Sequence, residues 1–198
     1  MKINESKQKV IDAAATLFFR KGYDGTSVRD IATEASVNVS LISYYFKGKQ
    51  GLFEYAVTQY YEIYLHKLEE TIGDTESFTN LEKLKKLIFV IIQYKQNNLQ
   101  LSCTIHRELS LDSIFVREMT VTYLAKENHL ISTLLFSLLK KPDLKDKQFL
   151  LMQLKGMLIT QYILHNEWKY HVIGNHAHEA FVKQYVRTIN NWLELIIN

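Results

Sequence analysis

Residues 24–53, DGTSVRDIATEASVNVSLISYYFKGKQGLF, permit few folds. Thr26 and Ser27 precede Val28, Ile31, Ala32 and Ala35, an apolar set at helical spacing with either hydroxyl residue placed to cap the N-terminus. Asp30 follows Ser27 by three, the spacing of a short capping box. Ser36-Val37-Asn38 interrupts the pattern, which resumes at Leu41, Ile42, Tyr45 and Phe46, with Ser40 or Asn38 available as cap, and stops before Lys47-Gly48. Small Ala32 and Ala35 let the two helices cross closely, and Val37 fills the space beneath the turn. Upstream, Lys9 to Lys21 predicts a third helix with Val10, Ile11, Ala14, Leu17 and Phe18 on one face and Gly22 as its C-cap. Three helices thus share a small core, and the last carries hydroxyls and tyrosines where a surface helix usually keeps charges. That is the pattern of a helix-turn-helix, which points to DNA.

The run GYDGTSVRDIA, the YYF ending of the second helix, and Lys49 followed by Leu52 resemble the TetR family of bacterial DNA-binding regulators over the first quarter of the chain. The resemblance implies that Thr26 and Tyr45 hydrogen-bond phosphates and that Lys49 meets another. A helix N-terminus with a nearby ammonium is an anion site in any case. Three positions depart from the family pattern: its turn glycine is Ser36 here, and its usual threonine and tyrosine in the recognition helix are Leu41 and Ser43. Base reading is therefore expected from Ser40, Ser43 and Tyr44, with Leu41 placed for a thymine methyl. Thr26, Ser27, Tyr45, Lys47 and Lys49 complete the predicted DNA-binding set. The stretch VNVSLISYYFKGKQGLFE is also similar to a narrower branch, the forespore-capture, FtsZ-regulating DNA-binding proteins of Bacillus.

Charge is distributed as such a reading requires. The formal net charge is only +3, but residues 1–50 carry eight Lys/Arg against five Asp/Glu, while the remainder carries sixteen of each. Binding must then come from a few placed contacts more than from long-range steering. Lys7, Lys9, Arg20, Lys21, Arg29, Lys47 and Lys49 are the cationic candidates. One proline, seven glycines and long stretches rich in Leu, Ile, Lys, Glu and Gln predict an all-α chain of about nine helices. A helix-turn-helix DNA-binding domain is expected over 1–50 and a helical regulatory and dimerisation domain over 51–198. One cysteine excludes an intrachain disulfide, and neither a secretory leader nor a membrane span is visible, so the expected location is cytoplasmic and nucleoid-associated.

A long amphipathic helix is predicted from Lys49 to about Ile72, with Leu52, Phe53, Ala56, Tyr60, Ile63, Tyr64 and Leu68 down one side and Gly73-Asp74 at its end. It is the natural mechanical link between DNA and the C-terminal part. Further helices are predicted over 78–97, 99–111, 113–140, 143–170 and 177–197, with Pro142 between two of them. The last two helices leave little polar face. Phe149, Met152, Met157, Phe181, Tyr185, Ile189, Trp192 and Ile196 are the expected homodimer interface, the alternative being that both helices simply close the monomer core. Such a dimer would set two recognition helices on a near-palindromic operator.

Other clusters carry less chemistry. His165, His171, His176 and His178 crowd one loop, but their spacing suits no helix-borne metal site. Cys103, His106 and Glu108 lack an oxyanion donor or a third group, so an enzyme is not expected and Cys103 reads as a small buried hydrophobe. No cofactor is assigned. The family resemblance implies a small-molecule effector, here a small apolar one, with Tyr60, Tyr64, Tyr94, Phe115, Tyr123 and Trp168 as aromatic candidates for the pocket. Two functions are left standing: a homodimeric repressor of transcription, or a DNA-bound cell-division regulator that inhibits a partner protein. His106, Arg107, Glu108, Arg117, Glu118 and Lys126 are the candidate partner surface for the second.

Overall fold

The computed structural model describes residues 5–73, 77–109, 114–140, 143–164 and 178–197, and every regular element among them is helical. In chain order these are α1 (Glu5–Lys21), α2 (Val28–Glu34), α3 (Ser40–Phe46), α4 (Lys49–Gly73), α5 (Asn80–Asn97), α6 (Leu99–Glu108) and α7 (Ile114–Met119). A π-helical turn (Thr120–Leu124), α8 (Ala125–Leu138), α9 (Leu144–Ile163) and α10 (His178–Ile197) follow. Because α7, the π turn and α8 run on without a break, the described residues form nine helical rods, as the sequence predicts.

The helix ends follow from local chemistry. Ser27 caps α2 through a complete capping box with Asp30, and Thr79 caps α5 in the same way with Glu82. Asp143 accepts the Asp146 N–H at 2.8 Å and opens α9. Gly22, at φ +80, closes α1 by donating its N–H to the Phe18 carbonyl. A single residue, Asn98, separates α5 from α6, and its backbone and side-chain N–H groups both donate to the Tyr94 carbonyl. Several predicted bounds move. The first helix begins at Glu5, the fifth at Asn80, and the sixth ends at Glu108. The predicted 113–140 helix contains the π turn, and that over 143–170 has its C-cap at Leu164. Pro142, Asp74 and residues 165–177 lie outside the described residues.

One hydrophobic core runs the length of the molecule. At the N-terminal end Val10, Ala14, Leu17 and Phe18 of α1 meet Ile31 of α2, Ile42 and Phe46 of α3, and Leu52 and Phe53 of α4. The 25 residues of α4 span about 37 Å and carry this core onward. At the other end α5 is central: Leu84, Leu87, Ile88, Ile91 and Ile92 are all fully buried, with α4, α8 and α10 packed around them. Ile63, expected on the buried side of α4, is half exposed, because the buried stripe runs through Tyr60, Tyr61, Tyr64, Leu65 and Leu68 and leaves it outside. No described helix is long and apolar enough to cross a membrane.

The interior also holds charge. Tyr64 donates its hydroxyl to Glu127 Oε1 at 2.7 Å, and the Lys95 ammonium lies 3.4 Å from the same oxygen. Burial raises the Glu127 carboxyl, but the Lys95 charge and the Tyr64 hydroxyl outweigh it and hold the group below the usual carboxylate range. His106, expected on the surface, is buried, and burial followed by the charges of Lys95 and Lys155 keeps it neutral well below the ordinary imidazole value. Its ring stacks on Tyr162 from α9.

Candidate nucleic-acid interface

Packing of α3 against the core decides what it shows to solvent. Ile42 and Phe46 are buried, four residues apart on one face. The opposite face therefore presents Ser40, Ser43, Tyr44 and Lys47, all exposed, with Tyr44 at 79%. Leu41 and Tyr45 stand half-buried at its edges, and the rings of Tyr44 and Tyr45 meet edge-on at 5.0 Å. No charged residue interrupts this row until Lys47, whose left-handed backbone (φ +60) ends the helix with its N–H donated to the Ser43 carbonyl. The N-cap position belongs to Val39, while Asn38 supplies the acceptor: its Oδ1 takes both the Ser40 N–H at 2.9 Å and the Ser40 hydroxyl at 2.8 Å.

The turn between α2 and α3 stores a little strain. Ser36 sits at φ +53, a left-handed conformation costing a residue with a Cβ about 1–2 kcal/mol. Glycine relieves that cost but loses about 0.5–1 kcal/mol of chain entropy on folding. Ser36→Gly is therefore expected to stabilise the protein by roughly 0.5 kcal/mol, read as a higher denaturation midpoint. An unchanged or lower midpoint would mean that the Ser36 side chain, and not its backbone, carries the turn.

A shallow depression where α2 and α4 begin is bounded by Asp24–Val28, Asp30 and Lys49. Lys49 donates to the Tyr23 carbonyl at 2.9 Å and lies 4.2 Å from the Tyr23 ring centroid, which fixes its ammonium at this rim. Ser27 is exposed, with its hydroxyl engaged in the capping box. Its hydroxyl and then its backbone N–H hold the Asp30 carboxyl below its ordinary value. Thr26 departs from the implied phosphate contact: it is 1% exposed and gives its hydroxyl proton to the Gly22 carbonyl at 2.8 Å. Its task here is to hold the turn that aims α2. Among the other basic candidates, Lys7 lies over the Tyr55 ring, Lys9 pairs with Glu5 and Lys21 with Asp30.

Farther along the chain, α6 carries two contacts that the sequence did not suggest. The Arg107 guanidinium donates to the Phe18 carbonyl, and Gln100 accepts from Thr16 at 3.0 Å, so α6 is tied to α1. An open groove between α1, α4 and the start of α6 is lined by Ile11, Thr16, Tyr55, Tyr60, Ile63 and Tyr94 among others. Of the predicted pocket aromatics, Tyr60 and Tyr94 reach this groove, Tyr64 faces Glu127, and Tyr123 stacks on Tyr61. The Phe115 side chain and Trp168 lie outside the described residues, as do His165, His171, His176 and the side chain of His178. Cys103 is buried, its thiol pushed up to about 12 by burial, and the described residues hold no cluster of metal-ligating side chains.

The interface residues predicted on the last two helices divide. Phe149 and Met152 are exposed at 57% and 64%, Met157, Tyr185, Trp192 and Ile196 are half-buried, but Phe181 and Ile189 are buried within the chain. On α10 the row Phe181, Val182, Val186, Ile189 and Leu193 faces the chain's own core. Phe181 and Ile189 are thereby removed from any outer surface, a correction to the predicted set.

An exposed polar and aromatic recognition helix, braced by a capped second helix and continued by a long rod, defines a helix-turn-helix regulator. The profile described as "Bacterial regulatory proteins, tetR family" matches residues 10–56. A probable HTH-type transcriptional regulator YttP of Bacillus subtilis is 37% identical over 204 residues, covering 99% of this chain and 95% of that protein. The chain belongs to the TetR family and is a transcriptional regulator of that type, not an enzyme. The biofilm operon icaADBC negative regulator IcaR of Staphylococcus aureus is 33% identical over 86 residues, 43% of this chain and 45% of its own. Among solved structures, a transcriptional regulator FadR from Bacillus subtilis in complex with stearoyl-CoA superposes with a TM-score of 0.71 at 22% identity, covering 96% of this chain and 97% of that one.

Proposed function

We propose that the chain is a homodimeric repressor that reads a near-palindromic operator through α3. The observation that carries this is the exposed row Ser40, Ser43, Tyr44 and Lys47 opposite buried Ile42 and Phe46. Ser40, Ser43 and Tyr44 face the bases, Leu41 lies against a thymine methyl, and Ser27, Tyr45, Lys47 and Lys49 hold phosphates. Residues 1–50 form the DNA-binding unit and 51–198 the regulatory and dimerisation unit. Action on DNA places the protein in the cytoplasm, on the nucleoid. The likeness to a negative regulator over 43% of the chain supports repression.

Dimerisation falls to the outer face of α9 and α10. Phe149, Met152, Gly156, Ile159 and Ile163 lie along one stripe of α9, and a Cβ added at Gly156 would meet nothing within 4 Å. That leaves room for a second helix to approach closely. Met157, Tyr185, Trp192 and Ile196 flank the stripe, and Tyr185 ties the two helices by donating to the Met157 carbonyl at 2.7 Å. An isologous four-helix contact covers these side chains. An effector that displaces α6 would act on the DNA-binding unit through Arg107–Phe18 and Gln100–Thr16.

Two substitutions separate the assigned roles. Lys47→Ala weakens binding to all duplexes alike and lowers the slope of log affinity against log salt by about one. Tyr44→Ala costs about 1–3 kcal/mol on the preferred site and relaxes choice at particular base pairs. Equal loss on every sequence for Tyr44→Ala would remove it from base reading.

A second reading rests on the stretch VNVSLISYYFKGKQGLFE. In that reading the protein is a DNA-bound cell-division regulator, of the narrower branch that residues 37–54 resemble. Exposed Arg117, Glu118 and Lys126 would then meet the partner. Mapping bound sites in cells separates the two: promoter sites support the repressor, and a few sites clustered by chromosome position support the division regulator.

A further inference from the structure

Five helices bring polar side chains to one place in the C-terminal interior: Tyr64 of α4, Lys95 of α5, His106 of α6, Glu127 of α8, and Lys155 and Gln161 of α9. The cations there are under-paired. Lys95 is 1% exposed, yet beside the Tyr64 ring, 5.6 Å from its ammonium, it has one hydrogen-bond partner, Glu127 Oε1, at 3.4 Å, well beyond the roughly 2.7–2.9 Å of a charge-assisted bond. Half-buried Lys155 donates only to the neutral Asn128 Oδ1, at 3.2 Å. Two ammonium groups therefore stand against one carboxylate. His106 feels both lysine charges, and its Nε2 has no hydrogen-bond partner. Gln161, 6% exposed on the core-facing row with Leu154 and Leu158, makes no hydrogen bond of ordinary geometry, and its amide reaches only toward the Tyr162 hydroxyl. Buried polar atoms are paired in the great majority of cases, so this concentration at one α6–α9 contact calls for a missing partner.

The chemistry of that partner follows from what is lacking: one negative charge and several acceptor sites for N–H donors. We propose that this cluster is the head-group site for a small organic monocarboxylate, received between Lys95 and Lys155, with His106 in its Nε2–H tautomer and the Gln161 amide as neutral partners. A phosphate ester would bring roughly −1.5 to −2 of charge against a surplus of one. Ile91, Ile92 and Leu158, all buried on the same helices, give a short alkyl tail an apolar surrounding. Wholly apolar effectors would leave the surplus charge unanswered, which revises the expectation of an apolar ligand. The regulatory meaning of this site rests on the reading of the chain as an effector-gated regulator, since α6 carries His106 on one side and Arg107 on the other.

The test uses the full chain without DNA, at constant ionic strength, with butyrate and hexanoate against butyramide and hexanamide. The acids are expected to raise the thermal unfolding midpoint saturably, by about 5 °C, and the amides to leave it in place. Lys155→Met, at a half-buried position that tolerates change, should weaken the acids at least about 10-fold, as should Gln161→Leu by a smaller factor. Equal behaviour of acids and amides overturns the proposal, and so does undiminished binding of the acids to Lys155→Met. DNA affinity is measured separately. An acid that raises the midpoint without changing DNA affinity supports the site and removes its gating role. An untreated chain that fails to select DNA removes the proposed function while the midpoint shift still supports the site.

Discussion

Gly51→Ala is expected to destabilise the protein by about 3 kcal/mol and to lower its unfolding midpoint by roughly 6–12 °C. Gly51 is the third residue of α4, and a Cβ built on it would collide with the Phe46 carbonyl at the end of α3. Both partners are backbone, so neither can rotate away. Relief requires α3 to move against α4, and Phe46 is held there by the Tyr55 ring at 5.4 Å. DNA affinity should fall with stability, because the same shift turns Ser43, Tyr44 and Lys47 from their aim. Gly73→Ala is the matched control: it lies at the far end of the same helix with nothing within 4 Å of the added carbon. There the change should be neutral or stabilising by up to about 1 kcal/mol. Similar midpoints for the two variants would contradict the close α3–α4 approach.

Glu127→Gln should cost about 3–5 kcal/mol, because Lys95 is left buried without a counter-charge. The amide keeps an acceptor for the Tyr64 hydroxyl, so the loss isolates charge from hydrogen bonding. Replacing both partners by apolar residues, Lys95→Met with Glu127→Leu, should recover most of the stability. Chemical denaturation measures both, and a single variant within about 0.5 kcal/mol of the parent would deny the pair its role. Acid should expose the same cluster. His106 stays neutral when folded but protonates near its ordinary value of about 6.5 when unfolded, so stability falls as pH drops below that value. Glu127, held below its ordinary value, adds a further loss as pH falls through its folded titration.

Much of the DNA-binding end was legible because its signals are local. Ser27 and Asp30 are three residues apart and cap the helix they precede; Gly22 and the Lys47-Gly48 pair stop helices where left-handed backbone is needed. The exposed row of α3 followed from the spacing of Ile42 and Phe46 alone. The cap of α3 was ambiguous, since Asn38 and Ser40 both offer oxygens, and the structure uses Asn38 as acceptor for the other. Thr26 differs for a local reason that the resemblance hid: its hydroxyl donates to the Gly22 carbonyl four residues back.

The C-terminal part was less legible because periodicity fixes an angle around a helix axis and not the direction of the chain's own core. On α10 two apolar stripes compete, and the one bearing Phe181 and Ile189 won the interior. His106 stood among charged neighbours and looked solvent-facing, yet α6 turns it onto Tyr162. Lys95 did carry a signal. It follows Ile91 by four and Ile92 by three, which puts it on the buried face of α5, and Glu127 precedes buried Ile131 by four. A cation at a core position demands a counter-charge, but which carboxylate answers it is a matter of packing across 32 residues of sequence.

If two copies of α3 read a two-fold operator, binding stoichiometry and site preference on duplexes selected from a random pool at near-physiological salt will report it. Two chains per duplex are predicted, on half-sites about 34–36 Å apart or a multiple of that, with preference lost in Tyr44→Ala. One chain per duplex, or binding no tighter to selected than to random DNA, would contradict the account.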